Sequence, residues 1–483
     1  MKGSADVAEE NWHEARLIPT SGISGVEEQE RRATSALLAV LTAVREFGRG
    51  LTQPLGAPAG TIEAYIEVPF MLGDKRVYPD GLIRVSRGQR TWTALVEVKT
   101  GTNALAVEQL ENYLDIAREQ GFDALITISN EIPPSAGQHP TPVDKRKLRK
   151  VMMYHLPWSQ ILAEAVMQKE HRGVADADQS WILGELIRYL EHPRSGALEF
   201  DDMGPSWVAV RDAVGAGTLR ASDNGVADVA ARFDALLRYA SLRLGRTLGT
   251  EVVPALSRRE AADPPLRTAS LVDTLVKEGR LTGAIRIPNA VAPLNIELDL
   301  RANRVTCHID VDAPREGRPT TRVNWLVRQL KSAPDGLRVE AFAMHTRGAG
   351  AAELLKKVRE DPAVLVQDPK KELRSFRIAL SGPLGSKRGR GRGAAIDSVL
   401  DAIETFYGEV LQNLKGWTTA APKMREVAEL PHDKAPALVS TALSSQDGIE
   451  PVNGGPQDGS AARDADDSFN DETAGGLPEV VST

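Results

Sequence analysis

Cysteine is almost absent from this 483-residue chain: Cys307 is the only one. No internal disulfide can form, and a cysteine-rich zinc site is excluded by count. That scarcity fits a reducing, cytoplasmic compartment. Long apolar runs are also missing, the longest reaching only from Leu37 to Val44. That is well short of the roughly 18 residues a membrane span needs. The N-terminal stretch is acidic (Asp6, Glu9, Glu10, Glu14) and has no apolar core, so no secretory signal is expected. The histidines show neither HExxH nor HxH spacing, and no nucleotide-cradling Gly-rich motif has the required spacing. His155, in an expected strand, reads as a core or hydrogen-bonded residue. Cys307 reads as a small buried side chain.

An excess of positive charge is lacking as well. There are 59 Lys+Arg against 66 Asp+Glu, a net charge of −7. That balance alone argues against a polyanionic partner, but it is unevenly placed. Residues 419–483 hold four bases and twelve acids, so this tail carries 4 − 12 = −8 and the remainder carries −7 − (−8) = +1. The tail is poor in apolar residues and is expected to be disordered, an acidic segment able to compete for basic loops or simply to solvate.

The remaining chain, with 42% hydrophobic residues overall, can build real cores. Residues 26–47 have helical spacing, Ile62–Val68 alternates as a half-buried strand, and Val77 to Val85 and Thr91 to Thr100 read as a hairpin. A helix follows from about Leu105, closed by Gly121. Then come strands at Ala124–Ile128 and Val151–His155 and a helix to Met167. The order α-β-β-β-α-β-β-α defines an α/β domain over about 20–170. Residues 171–265 read as a helical connector. From 266 to 418 a second α/β domain is expected, including a helix at Ala351–Glu360.

The residues that could do chemistry are Pro79-Asp80 and, seventeen positions beyond Asp80, Glu97-Val98-Lys99. Residues two apart in a strand share a face, so Glu97 and Lys99 project together while Val96 and Val98 point to the core. With Asp80 on the neighbouring strand, two carboxylates and an amine converge. That set suits metal-assisted phosphodiester hydrolysis: hard oxygen donors for Mg²⁺ and an ammonium near the developing charge. The alternative is a cross-strand ion pair on a solvated sheet face. Asp368 and Lys370 have the same acid-x-Lys spacing but are split by Pro369 in a polar loop.

Pro79-Asp80 with Glu97-x-Lys99 resembles the signature of the PD-(D/E)XK nuclease superfamily. Gln109 and Tyr113 resemble that family's Gln-x3-Tyr pair, and Glu30 resembles its additional acid on the first helix. The resemblance covers residues 20–170. It implies a restriction-endonuclease-like mixed sheet flanked by helices and Mg²⁺-dependent cleavage of DNA, with Mn²⁺ an acceptable substitute. Asp80 and Glu97 would be the metal ligands and Lys99 would assist. A place in defence, restriction or repair follows only by family analogy. Glu27 and Glu28 compete with Glu30, and Gln109 and Tyr113 could equally be a packed helix face.

Two basic clusters would meet phosphates. The first is Lys145, Arg146, Lys147, Arg149 and Lys150; the second is Lys387, Arg388, Arg390 and Arg392, alternating with glycines. Solvated loops are the plainer reading. Expected partners are therefore DNA, with no membrane and no nucleotide cofactor, and a homodimer is admissible. The competing function is a catalytically idle nuclease-fold protein that binds nucleic acid or acts as a scaffold.

Overall fold

The computed structural model describes residues 17–18, 25–133 and 137–418, which belong to one unit; the acidic tail lies outside them. Among the described residues no helix is long and apolar enough to cross a membrane. The architecture is mixed α/β, arranged on two large sheets.

The chain begins with α1 (Val26–Ala43) and α2 (Arg45–Thr52). The single helix expected over 26–47 is broken because Val44 takes an extended conformation. Strand β1 (Thr61–Ile66) precedes a short ribbon, β2 (Phe70–Leu72) with β3 (Lys75–Val77). Then come β4 (Gly81–Arg87), β5 (Arg90–Val98), α3 (Val107–Gln120), β6 (Ala124–Ser129), β7 (Met152–Pro157) and α4 (Trp158–Val166). The five-stranded sheet runs β1-β4-β5-β6-β7. Its first three strands are antiparallel and β5, β6 and β7 are parallel.

This sheet is buried on both faces. Ile83, Val96, Val98, Ile126 and Ile128 pack against α1, α2 and α4, while Leu82, Leu95 and Leu125 pack against α3. Strand β6 is buried at every position, as a central parallel strand should be. The expected strand from Val77 to Val85 is interrupted at Tyr78-Pro79-Asp80. Pro79 has no N–H for a ladder, so β3 leaves to pair with β2 and β4 starts afresh at Gly81. Asp80 therefore stands at a strand entrance rather than within the hairpin.

The connector helices are α5 (Ala177–Leu190), α6 (Trp207–Gly215) and α7 (Val226–Leu248). They divide between two cores: Leu183, Leu186 and Tyr189 join the first sheet, whereas Trp207, Val210, Phe233 and Leu236 join the second. The rest comprises β8 (Val253–Pro254), α8 (Arg258–Ala262), α9 (Pro264–Glu278), β9 (Arg280–Arg286), β10 (Leu294–Asp299), β11 (Arg304–Asp312) and α10 (Pro319–Gln329). Then follow β12 (Arg338–Ala343), β13 (Ala351–Leu354), α11 (Leu355–Glu360), β14 (Leu373–Pro383) and α12 (Ala395–Glu409). Its seven strands, β13-β12-β14-β11-β10-β9-β8, are all antiparallel. The helix expected from Ala351 starts four residues late, because Ala351–Leu354 pairs with β12 as an edge strand. Cys307 is fully buried, and burial pushes its thiol up to about 12.

Candidate functional site

The end of β5 gathers the predicted residues. Gly81 pairs with Val96, so the ladder between β4 and β5 stops short of Val98. The Asp80 carboxylate takes the Val98 N–H left over, Oδ2 accepting at 2.7 Å. That bond fixes Asp80 beside Glu97. Behind it, the Glu67 N–H donates to the Asp80 carbonyl at 3.3 Å, with Glu67 itself in the left-handed region at φ 50°.

Glu97 has no exposed surface. Its Oε1 accepts from Lys99 Nζ at 2.6 Å, its buried Oε2 takes no hydrogen bond of normal geometry, and its carboxyl stands within reach of the Asp80 carboxyl and the Tyr113 hydroxyl. Glu30 reaches the same ammonium from α1, with Oε2 at 3.6 Å. Its Oε1 accepts from the Asn103 amide at 2.6 Å and the Thr100 N–H at 3.3 Å. Of the three glutamates at the start of α1, Glu30 is the one placed in the cluster. Gln109 Nε2 donates to Tyr113 Oη at 3.1 Å, and Tyr113 Oη donates to the Tyr78 carbonyl at 3.2 Å, two residues before Asp80. The i, i+4 pair thus props the turn that presents Asp80.

The electrostatics are unusual for two adjoining carboxyls. Burial, then the charge of Asp80, pushes Glu97 from the ordinary 4.5 up to about 8, against the pull of Lys99. Burial also raises Asp80, opposed by the Val98 N–H and Lys99. Burial disfavours the Lys99 charge, yet Glu97, with Glu30 and Asp80, holds the ammonium above the usual lysine range. Tyr113 is pushed up by burial and by Glu97. Glu97 therefore gives up its proton far less readily than a free carboxyl, because of burial first and the charge of Asp80 second.

Among the described residues no group of three or more His, Cys, Asp or Glu is arranged to hold a metal ion. The donors present are the two carboxylates of Asp80 and Glu97. Mg²⁺ is commonly held by one or two carboxylates, with water and phosphate oxygens completing its shell. The Glu97 Oε2 without a well-formed hydrogen bond and the mutual repulsion of the pair fit a divalent cation in that role.

Several supporting residues carry no motif. Trp158 Nε1 donates to the Lys99 carbonyl at 3.0 Å, so an aromatic that reads as a core anchor also holds the end of β5. Asn130 bridges the Gly101 and Gly196 carbonyls at 2.9 and 2.8 Å. Gln29 Oε1 accepts from the Thr100 hydroxyl at 3.0 Å. Glu97, Thr127 and His155 share one register row across β5, β6 and β7. The Thr127 hydroxyl lies 2.8 Å from His139 Nε2 and 2.9 Å from His155 Nδ1. Burial lowers both histidines, His155 to about 3, so both are neutral and structural in this network.

The first basic cluster lies away from the carboxylate–lysine site. Lys145, Arg146, Lys147, Arg149 and Lys150 precede β7, whereas Glu97 and Lys99 close β5. Because β5 and β7 are parallel, these are opposite ends of the sheet, about 20 Å apart for six residues of strand. Lys147 is tied to Asp115 at 2.6 Å, and Lys145, Arg149 and Lys150 reach solvent. In the second cluster Arg390 bridges Glu199 at 2.8 Å and Asp397 at 2.5 Å, Arg388 lies 3.6 Å from Asp202, and Lys387 Nζ donates to the Arg392 carbonyl. These cations largely join the Gly-rich loop to its neighbours; Lys387 and Arg392 remain exposed. Comparison with models of protein families, with curated proteins and with solved structures finds no match.

Proposed function

We propose that the chain is a Mg²⁺-dependent nuclease that hydrolyses DNA phosphodiester bonds, with residues 20–170 forming a PD-(D/E)XK-like domain. The observation that carries this reading is the convergence of Asp80, Glu97, Lys99 and Glu30, with one buried Glu97 oxygen outside any hydrogen bond of normal geometry. Asp80 and Glu97 would hold the cation. Bound there, it would polarise the phosphoryl group and acidify water.

The protein's own residues supply the rest. Lys99 presents an ammonium at the end of β5, kept charged by Glu97 and Glu30. It is placed to orient a nucleophile or to offset charge growing on the phosphorus oxygens. Glu30 fixes the direction of that ammonium through its bonds to Asn103 and Thr100. Gln109 and Tyr113 hold the Pro79-Asp80 turn. Burial of Glu97 keeps water from competing for its oxygens.

The test incubates plasmid and linear DNA with Mg²⁺ or Mn²⁺. The wild type is expected to cut, and Asp80→Ala and Lys99→Ala to lose at least about a hundredfold in rate, the scale of a lost charge-stabilising group. Uncut DNA with the wild type, or equal cutting by the variants, refutes the reading.

A further inference from the structure

The end of the first sheet opposite the Asp80–Glu97–Lys99 site collects exposed cations from two separate segments. Ala94, Ala124 and Met152 share one register row across β5, β6 and β7. Arg90, four residues before Ala94, and Lys150, two before Met152, therefore leave the sheet at the same end. The β4–β5 hairpin brings Arg87 there as well, directly across from Arg90. The turn from Lys145 to Lys150 enters two strands further along, about 10 Å in the pairing direction. Arg87, Arg90, Lys145, Arg146, Arg149 and Lys150 are all exposed, and no ion pair engages any of them among the described residues.

Three features point to a polyanion. The turn is fixed in place while its charges stay in solvent. Asp144 accepts the Arg146 N–H at 2.9 Å, the Asp144 N–H donates to Glu111 Oε1 at 3.0 Å, and Lys147 Nζ ties the turn to Asp115 on α3 at 2.6 Å. Asp123 is engaged as well, its Oδ2 accepting the Thr93 N–H at 2.8 Å. Next, Arg87 faces Arg90 as a cross-strand pair of like charge, an unfavourable arrangement that a bound anion reverses. Finally, the cations beside the carboxylates are already engaged: Lys99 with Glu97 and Glu30, Arg31 with Glu67, and Arg32 with Glu28. A phosphate backbone gains little grip from those.

We infer that this end of the sheet is an anchoring surface for the phosphate backbone of duplex DNA, separate from the place where a strand would be cut. Exposed Lys and Arg free of acids release counterions from DNA when they meet its phosphates, which gives affinity without reading sequence. Surface and site are about 20 Å apart along the strands. A duplex of that length carries about twelve phosphates, enough to engage both at once. The contribution of the surface to cutting rests on the nuclease reading; its contribution to binding does not.

The test follows a labelled DNA duplex by fluorescence anisotropy with the full chain, in metal-free buffer over a range of NaCl. Each phosphate contact adds about 0.9 to the slope of log affinity against log salt. The turn variant, Lys145→Ala with Arg146→Ala, Arg149→Ala and Lys150→Ala, should lose at least about tenfold in affinity, its slope falling by about 2–4. The hairpin variant, Arg87→Ala with Arg90→Ala, should lose about threefold, its slope falling by about 1–2, and serves if the turn variant is unstable. A control removing as many exposed cations elsewhere, Lys356→Ala with Lys370→Ala, Lys371→Ala and Arg374→Ala, should bind as the wild type does. No binding by the wild type, wild-type affinity and slope in both surface variants, or an equal loss in the control overturns the inference. Tighter binding by the surface variants would make acidic residues 419–483 the occupant and overturn it too. With Mg²⁺, cutting by the surface variants should show a raised KM and an unchanged kcat; a lowered kcat overturns the separation of surface from site. If DNA binds as expected but is never cut, the nuclease reading fails and the surface stands; cutting with unchanged binding removes the surface alone.

Discussion

Glu97→Gln should change stability by an amount that depends on pH. In the native protein Glu97 keeps its proton up to about pH 8, whereas in the unfolded chain it loses it near 4.5. Between these values the native state binds more protons, so stability is present at low pH and falls as pH rises towards 8. From pH 6 to the plateau above pH 8 the difference is about two pH units at about 1.36 kcal/mol each, or about 3 kcal/mol. For a unit of about 400 residues that corresponds to a fall in Tm of about 3–4 °C. A glutamine at this position would mimic the protonated acid, still accepting from Lys99 Nζ, and cannot ionise. Thermal unfolding without metal, at pH 6 and pH 9, should therefore show a steep loss for the wild type and a much smaller one for Glu97→Gln. The variant should be the more stable at pH 9. Mg²⁺ should flatten the wild-type profile, since a ligating carboxylate is deprotonated and binding releases its proton, and should leave Glu97→Gln unmoved. A flat wild-type profile between pH 6 and 9, or an equally steep variant, would falsify the account of Glu97.

Gly81→Ala would place a Cβ 2.6 Å from Leu38 Cδ1 and 3.4 Å from the Val96 side chain. The overpacking should cost about 1–3 kcal/mol in urea unfolding, and cutting should fall further than stability because Asp80 is the adjacent residue. Tyr113→Phe removes the bond to the Tyr78 carbonyl. It should cost about 1 kcal/mol and slow cutting, with an unchanged circular dichroism spectrum. Arg267→Met leaves the Asp234 carboxylate, 5% exposed, without the guanidinium that meets it at 3.0 Å. Removing one partner of such a buried pair costs about 3–5 kcal/mol, readable as a lower urea midpoint with no selective effect at the β5 site.

What the sequence shows of this site depends on range. Glu97 and Lys99 are legible because strand alternation is local, and Val96 and Val98 are buried on the opposite face as that alternation requires. The helix from Val107 is closed by Gly121 at φ 69°, in the C-terminal position where glycine is favoured. Asp80 is misplaced, set within a continuous strand rather than at its entrance, because a smooth apolar run hides what Pro79 does to the ladder. Glu30 cannot be told from Glu27 and Glu28 without knowing which side of α1 meets Lys99. Trp158, Asn130 and Gln29 act through a carbonyl or a hydroxyl of another segment, which no spacing encodes. The antiparallel order of the second sheet is likewise a matter of long-range pairing.

Charge illustrates the same limit and supports the functional argument. The alternating Arg and Gly residues from 388 to 393 look free to meet phosphate, but Glu199, Asp202 and Asp397, two of them nearly two hundred residues away, occupy Arg388 and Arg390. Such pairs neutralise each partner at little cost. The cluster at the end of β5 is different. A carboxyl with no exposure is held against a second, half-buried carboxyl, and the one ammonium beside them bonds only one oxygen of Glu97. Well-packed apolar residues at those positions would be at least as stable. Residues whose ionisation is displaced this far by burial and a charged neighbour cluster at functional sites. A divalent cation between Asp80 and Glu97 would remove the repulsion, satisfy the oxygen and leave Lys99 free to act on a substrate. This energetic imbalance, which the motif alone could not show, supports the proposed metal-dependent reading over one in which these residues are idle.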